Sequence, residues 1–208
     1  MHNKPNIGII GAGRLGTAIA GQSLKAGYQV RIANSRGPNS LALTLRVLLP
    51  GAQAATVDGV VTGSDIIVLA IPLNQYATLR PDLFDGKVVI DAMNYWPPTE
   101  GDIPEFMNDA VTSSEYIQQY LRGAKVVKTL NHTAYNELAQ HSLPVGSTAR
   151  RAIALAGDDA SAKAMSAAFI HDIGFDPVDL GELSQGRAFE PDTPLFNARF
   201  SAADLRKQ

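Results

Sequence analysis

Cysteine is absent from this sequence of 208 residues. Its absence excludes disulfides, thiol nucleophiles, thiolate zinc sites and cysteine-bound iron–sulfur clusters, and it agrees with the cytoplasmic localisation that we expect. Long apolar runs are also missing. No stretch approaches the roughly 20 residues of a membrane-spanning helix, and the polar N-terminus predicts no signal peptide. We therefore expect no membrane partner.

Acidic residues are missing from residues 1–57, which carry six lysines and arginines. All 20 acidic residues follow, beginning with Asp58, so the net charge of −2 combines a basic N-terminal part with an acidic remainder. A local excess of positive charge suits an anionic ligand. The basic residues are not clustered with aromatic residues or on one helix, so we expect no nucleic-acid partner. The histidines show no metal-ligand spacing, and we predict no metal site.

The best-defined motif lies in residues 7–16, where a short apolar run meets three glycines with the spacing G-x-G-x-x-G. An amphipathic segment follows over residues 15–26, which predicts a strand, a tight turn and a helix. Gly11 allows the sharp turn, Gly13 leaves room for a pyrophosphate, and Gly16 allows close packing of the helix on the sheet. The helix N-terminus offers free N–H groups to phosphates. We interpret the motif as a dinucleotide-binding loop rather than a turn without a ligand.

The rest of the chain continues this pattern. About eight strand candidates alternate with helices, which predicts an α/β fold of the Rossmann type: a doubly wound, mostly parallel sheet with a small C-terminal lobe. The hydrophobic content of 45% is typical of a globular protein. The length favours a single domain over residues 1–208, with a core of about 1–145 and a lobe of about 146–208.

The segment after the second predicted strand, residues 34–38, indicates which dinucleotide binds. Enzymes that prefer NAD place an Asp or Glu about 20 residues past the glycines. This sequence has none there, while Ser35 and Arg36 are suited to hydrogen-bond and neutralise a 2′-phosphate. We therefore predict NADP(H) as the cofactor, the alternative being a turn that happens to contain arginine. Asn39 or Ser40 is expected to cap the following helix.

Further strands are predicted near residues 53–57 and over 65–71, 87–92, 125–130 and 151–156. Ligands in doubly wound sheets lie beyond the carboxyl ends of the strands, so residues 70–73 and 91–94 belong near the cofactor. Residues 94–104, with three prolines, form a rigid loop suited to cover a site. Residues 112–115 resemble a capping box, and Asp158 or Asp159 is expected to cap a long helix.

Acid–base groups near the expected nicotinamide position are few. His132, just past a strand end, is a candidate proton donor or substrate partner; the alternative is a residue satisfied by the backbone. Asn94 and Asn131 are candidates to orient the carboxamide or the substrate. No tyrosine is followed four residues later by lysine, the pair used by short-chain carbonyl reductases. A planar redox ring suits this limited inventory, since stacking geometry would supply most of the catalysis.

Several short motifs resemble one known family. They are Gly-Ala-Gly-Arg-Leu-Gly at 11–16, Asn-Ser-Arg at 34–36, Ile-Pro at 71–72, Asp-Ala-Met-Asn at 91–94 and Leu-Asn-His-Thr at 130–133. Together they are similar to the NADP oxidoreductases that act on the 8-hydroxy-5-deazaflavin coenzyme. The cytosolic reductase domain of the six-transmembrane epithelial antigen metalloreductases is similar as well.

The resemblance implies roles for these residues. Residues 12–15 would hold the pyrophosphate, Ser35 and Arg36 the 2′-phosphate, and Ile71 and Pro72 the nicotinamide ribose side. The expected cofactor-binding set is Gly11, Ala12, Gly13, Arg14, Leu15, Gly16, Asn34, Ser35, Arg36, Ser40, Ala70, Ile71, Pro72 and Asn94. The expected pocket for the second ring is lined by Asn131, His132 and Thr133. Arg150, Arg151 and Arg187 are the candidates to meet the anionic tail of a deazaflavin.

The resulting hypothesis is an NADPH-dependent oxidoreductase that transfers hydride between NADP(H) and a deazaflavin, a flavin or another small conjugated acceptor. The alternative is a redox sensor or scaffold that binds NADP(H) without turnover. The resemblance also implies a homodimer, with residues 187–200 as one candidate interface. A segment that covers the domain's own core is the other interpretation of those residues.

Overall fold

The computed structural model describes residues 4–107 and 110–208. Its centre is one sheet with the strand order β3-β2-β1-β4-β5-β6-β7-β8. The strands are β1 (Ile7–Ile10), β2 (Val30–Ala33), β3 (Gln53–Ala54), β4 (Ile66–Leu69), β5 (Val88–Asp91), β6 (Lys125–Thr129), β7 (Ala152–Gly157) and β8 (Asp176–Asp179). Neighbouring strands are parallel except β6 and β7, which are antiparallel. The predicted α/β class with a doubly wound, mostly parallel sheet is confirmed.

Helices connect the strands and cover both faces of the sheet. They are α1 (Arg14–Lys25), α2 (Ala42–Leu48), α3 (Val57–Thr62), α4 (Pro97–Glu100), α5 (Ser113–Tyr120), α6 (Tyr135–Gln140), α7 (Ala160–Asp172) and α8 (Ala202–Leu205). Short 3₁₀ segments add to these, including Pro38–Leu41 and Leu73–Thr78. Within residues 4–107 and 110–208, no helix has the length and apolarity to cross a bilayer.

The central strands are apolar on both faces because both faces are buried. In β4, Ile66 and Val68 join the apolar cluster on one side of the sheet, and Ile67 and Leu69 join the cluster on the other. Close packing on the sheet also needs small residues. A Cβ atom on Gly8 would lie 2.7 Å from the Cγ1 atom of Val60 on α3. A continuous apolar run without alternation is therefore what this topology requires.

Local capping signals explain where several helices begin. Thr112 accepts from the Glu115 N–H while the Glu115 carboxylate accepts from the Thr112 N–H, so the predicted capping box is confirmed. Asp159, one of the two predicted caps, accepts from the Ala162 N–H at the start of α7. Neither Asn39 nor Ser40 caps a helix: Pro38–Leu41 is a 3₁₀ turn, and the Ser40 hydroxyl donates back to the Gly37 carbonyl. That prediction was wrong.

The predicted strand near residues 53–57 was also partly wrong. Only Gln53 and Ala54 pair with β2, and Val57 begins α3 instead. The reason is local, because the Thr56 hydroxyl accepts from the Gly59 N–H and so caps a helix at that point. Strands β7 and β8, in the expected C-terminal lobe, extend the same sheet.

Candidate functional site

The strand order reverses between β1 and β4, and a cleft opens at the carboxyl ends of these strands. A cavity of about 480 Å³ lies there. It is lined by Ile10, Gly11, Ala12, Gly13, Asn34, Ser35, Arg36, Val57, Ala70, Ile71, Pro72, Gln75, Thr78 and Leu79. The turns after β1, β2 and β4 therefore meet at one cavity, as their sequence positions predict.

The three loop glycines have three different surroundings. Gly11 has a φ of +114°, and a Cβ there would lie 2.2 Å from the Ala70 carbonyl oxygen. A Cβ on Gly16 would lie 1.9 Å from the Gly11 carbonyl oxygen. A Cβ on Gly13 would meet no atom within 4 Å. The first and third glycines are thus required by the fold, whereas Gly13 faces the open cleft.

Helix α1 begins directly at this loop. Gly13 is its N-cap residue and has no side chain to occupy the helix end, and the first turn carries no acidic residue. The first backbone N–H groups of a helix have no partner within the helix, and the helix dipole adds positive potential there. This end of α1 therefore suits a diphosphate, and the space beside Gly13 is where such a group would approach the backbone.

The turn after β2 is braced by the Asn34 side chain. Its Oδ1 accepts from the Arg36 N–H at 3.1 Å, and its Nδ2 donates to the Ser40 Oγ at 2.9 Å. Ser35 and Arg36 are exposed at the mouth of the cleft. Asn34 and Ser40 thus hold the turn, while Ser35 and Arg36 are free to face a ligand.

A second cavity, of about 320 Å³, adjoins the first. Both are lined by Gly13, Ala70, Ile71 and Pro72. The further lining residues of the second are Arg14, Leu15, Ala92, Met93, Asn94, Trp96, Thr99 and Glu100. Its lining is mostly apolar, and its charged residues are Arg14 and Glu100. The two cavities therefore meet at the carboxyl end of β4.

The loop expected to cover a site forms one wall of this second cavity. Trp96 is 41% exposed, and its ring packs edge-on against Phe196 at 5.7 Å. The Glu100 carboxylate accepts from the backbone N–H groups of Trp96 and Asn74, at 2.9 and 3.0 Å. Further along, the Phe106 ring packs against Tyr116 of α5 at 5.1 Å. The loop is therefore fixed at both ends.

The structure places His132 outside the two cavities. It is 4% exposed, its Nε2 accepts from the Ala154 N–H at 3.2 Å, and its ring packs against Phe189. Burial, with the nearby charges of Lys128 and Arg151, lowers the pKa of His132 to about 3. A neutral, backbone-bonded imidazole does not fit the expected proton donor, and the alternative interpretation of this residue describes it better.

Asn131 and Thr133 are buried beside His132. Leu130 has a φ of +66°, so the chain turns sharply after β6 and brings Asn131 to Asn94. The two amides are reciprocal: Asn94 Nδ2 donates to the Asn131 carbonyl at 2.8 Å, and Asn131 Nδ2 donates to Asn94 Oδ1 at 3.0 Å. Among these residues only Asn94 lines the second cavity. Asn131 supports it from behind.

Two of the arginines expected to meet an anionic tail are occupied elsewhere. Arg150 is 5% exposed and pairs with Asp176 at 2.7 Å, and Arg151 is 8% exposed and pairs with Glu137 at 2.7 Å. Both act in the protein interior, so that expectation was wrong for them. Arg187 is exposed. The basic side chain that does line the second cavity is Arg14, whose guanidinium lies 5.5 Å from the Tyr135 ring centre.

Several lining residues were not predicted one by one. In the first cavity they are Ile10, Val57, Gln75, Thr78 and Leu79. In the second they are Trp96, Thr99 and Glu100, which lie in the loop that was predicted to cover a site. Gln75 and Thr78 lie in the 3₁₀ segment directly after Pro72, so the strand end that predicted Ile71 and Pro72 was a signal for them too. For Thr99 and Glu100 the signal was the proline-rich loop itself, which predicted a cover for the site but not which of its side chains face the cleft.

Fold and cleft together are those of a dinucleotide-binding domain, with a second cavity beside the glycine loop. Comparison with known proteins makes this more specific. The family described as NADP oxidoreductase, coenzyme F420-dependent, matches residues 6–95. The resemblance that the sequence motifs indicate is therefore confirmed over residues 6–95, which match this family of NADP oxidoreductases.

Several known proteins are similar to this chain over most of its length. Metalloreductase STEAP3 of Rattus norvegicus is 27% identical over 189 residues, which are 89% of this chain and 36% of the relative. The chain thus spans about a third of the length of the curated metalloreductases that it matches. A hypothetical protein from Sinorhizobium meliloti has a TM-score of 0.78 at 30% identity over 94% of both chains. A protein from Arthrobacter sp. FB24, provisionally described as an F420-dependent NADP reductase, has a TM-score of 0.73 at 25% identity over 88% of both chains.

Proposed function

We propose that this protein transfers hydride between NADP(H) and a flat, conjugated acceptor that binds in the second cavity. The observation that carries the proposal is the contact of the two cavities at Gly13, Ala70, Ile71 and Pro72. A dinucleotide across the glycine loop, with its 2′-phosphate at Ser35 and Arg36, would direct its nicotinamide end past this junction toward the second cavity. One ring face would then be open toward an acceptor there.

The residues present fit the cofactor. The α1 N-terminus and the space beside Gly13 suit the pyrophosphate, and the turn of Ser35 and Arg36 suits a 2′-phosphate. When bound, NADPH supplies the hydride. Ile71 and Pro72 would position the nicotinamide ribose, and the apolar walls of the second cavity would exclude water and hold the acceptor parallel to the nicotinamide. Positioning of the two rings then supplies most of the catalysis.

The acceptor that this chemistry suits best is a deazaflavin or a flavin. Hydride addition to such a ring leaves its charge on a delocalised system, and water supplies the compensating proton, so no protein acid is needed at the reacting carbon. The position of His132, away from the cleft, supports an acceptor of this kind. The description of the Arthrobacter relative points to the deazaflavin.

The test is an NADPH oxidation assay with a reduced-nicotinamide absorbance readout. Purified protein is given the 8-hydroxy-5-deazaflavin coenzyme, FMN, FAD, a cyclic imine or a quinone in turn, with NADH in place of NADPH as the matched control. We expect turnover with a deazaflavin or a flavin and a clear preference for NADPH. Tight NADPH binding by calorimetry with no turnover on any acceptor would contradict hydride transfer and support a sensor or scaffold that binds NADP(H).

A further inference from the structure

One ion pair is sealed inside the protein directly behind the second cavity. Asp91, the last residue of β5, and Lys128 of β6 are both 0% exposed, and the Lys128 Nζ lies 3.4 Å from Asp91 Oδ2. Buried lysines and aspartates are uncommon because desolvation of each charge costs free energy. The chemistry proposed above uses neither group.

The pair is anchored to the backbone of one residue. Lys128 Nζ donates to the Met93 carbonyl at 2.6 Å, and Asp91 Oδ1 accepts from the Met93 N–H at 3.0 Å. Both polar groups of the Met93 main chain are therefore bound by the two buried charges. Hydrogen bonds to charged groups are stronger than those between neutral groups. Two such bonds fix the turn that follows β5 in one conformation.

That turn is a wall of the acceptor cavity. Ala92, Met93 and Asn94 line it, and Trp96 follows two residues after Asn94. The pair is itself held from two other directions. Ser114 of α5 donates its hydroxyl to Asp91 Oδ2 at 2.6 Å, and a Cβ on Gly186 would lie 3.1 Å from Lys128 Cγ, so the lysine stem is closely packed.

We propose that Asp91 and Lys128 are positioning residues that set the shape of the acceptor cavity through the Met93 backbone. The inference rests on the proposed function, since it assigns the second cavity to the acceptor. The proposed role also gives a reason for a buried ion pair at a position where two apolar side chains would make the protein at least as stable. The pair acts by fixing the conformation of the turn after β5, and neither side chain lines the cavity.

The experiment compares the parent protein with the double variant Asp91→Asn/Lys128→Met, in which neither charge is left unpaired. Trp96 is the single tryptophan of the chain and lines this cavity, so its emission and its energy transfer to bound NADPH respond to the conformation of the turn. We expect altered Trp96 emission, an acceptor KM raised about tenfold, and an NADPH Kd within about twofold of the parent value. The matched control is Lys125→Met, which removes the exposed ion pair with Asp159 at the other end of β6; it should change none of these.

Unchanged Trp96 emission and unchanged acceptor KM in the folded double variant would overturn the proposal. A parallel loss of NADPH and acceptor binding would also overturn it, because that pattern indicates a purely structural role.

Should the double variant not fold, Ser114→Ala, which removes one hydrogen bond to Asp91, must shift Trp96 emission and acceptor KM in the same direction by a smaller factor. If no acceptor turns over, the proposed function fails, and the fluorescence comparison alone still decides whether the pair positions the turn.

Discussion

Gly13 and Gly16 belong to one motif, yet a methyl group added to each meets different surroundings. At Gly16 it would overlap the Gly11 carbonyl oxygen, whereas at Gly13 it would enter the open cleft. Gly13 also has an extended backbone, with a φ of −78°, that alanine adopts without strain. The two alanine variants therefore separate the cost to the fold from the cost to the ligand.

We expect Gly13→Ala to raise the NADPH Kd by about tenfold or more while it changes the free energy of unfolding by less than about 1 kcal/mol. We expect Gly16→Ala to lower the free energy of unfolding by about 3 kcal/mol, because the backbone of the loop must shift. Calorimetry and urea unfolding measure the two quantities. A Gly13→Ala variant with parental NADPH affinity would show that the phosphates do not approach the backbone there.

His132 makes stability depend on pH. The pKa of His132 is lowered to about 3 in the folded protein from an ordinary value of 6.5. Between these two pH values the imidazole is protonated in the unfolded chain and neutral in the native protein. Stability is then fully present above pH 6.5 and is lost as the pH falls toward 3. We expect a loss of about 1.5 kcal/mol from this residue between pH 6.5 and pH 5. Urea unfolding of the parent and of His132→Asn measures it, and equal pH slopes for both would disprove it.

At the scale of one element, the turn after β2 shows how a short segment selects a cofactor. Arg36→Ala should raise the Kd for NADPH by about 10-fold to 100-fold and leave the Kd for NADH almost unchanged, since only NADPH carries the 2′-phosphate. Asn34→Ala should act in the same direction by a smaller factor, because the turn loses its brace to Ser40 but keeps the arginine. Equal losses for both nucleotides would contradict the NADP preference.

Asn39→Ala is the control for these variants, because Asn39 is an exposed neighbour outside the first cavity. Both affinities should stay at the parental values. Fluorescence titration of each nucleotide supplies the Kd values. A loss of NADPH affinity in this control would show that any change in the segment disturbs the site, and the case for Arg36 would then fail.

Elements whose causes are local could be predicted from the sequence. The glycine loop, the buried strands and the Thr112–Glu115 box each depend on neighbours within a few residues. The cap at Thr56 is just as local, yet the predicted strand over residues 53–57 ran through it. Periodicity cannot separate a short buried strand from a short buried helix. The Asn34 brace spans six residues of turn and has no periodic signature.

At the scale of the whole molecule, the sequence could not indicate which polar residues would be sealed in. Strand β7 runs antiparallel to β6, so the Ala154 N–H meets the His132 ring and converts an expected reactive group into a core residue. Lys128 lies in β6, and its partner Asp91 is 37 positions earlier in the sequence. Both outcomes depend on strand order, which no local pattern of residues 125–133 encodes.

The C-terminal segment packs on its own sheet. Phe189 is fully buried and Leu195 is 6% exposed, in a cluster with β7 and β8. This arrangement fits the interpretation in which residues 187–200 cover the domain's own core. A homodimer, which the family resemblance implies, would therefore have to use other side chains, such as the half-buried Phe196 beside Trp96.

Two phenylalanines of this segment make the distinction measurable. Phe189→Ala should lower the free energy of unfolding by about 3–5 kcal/mol, because it leaves a cavity against the His132 ring and beneath β7. Phe196→Ala should cost less than about 1 kcal/mol and shift the emission of Trp96, against which it packs. Urea unfolding gives the energies, and light scattering gives the mass of each variant. A core side chain stabilises the monomer, so its loss must lower the free energy of unfolding. If Phe189→Ala kept its full stability but lost a dimer found in the parent protein, residues 187–200 would form an interface and not part of the core.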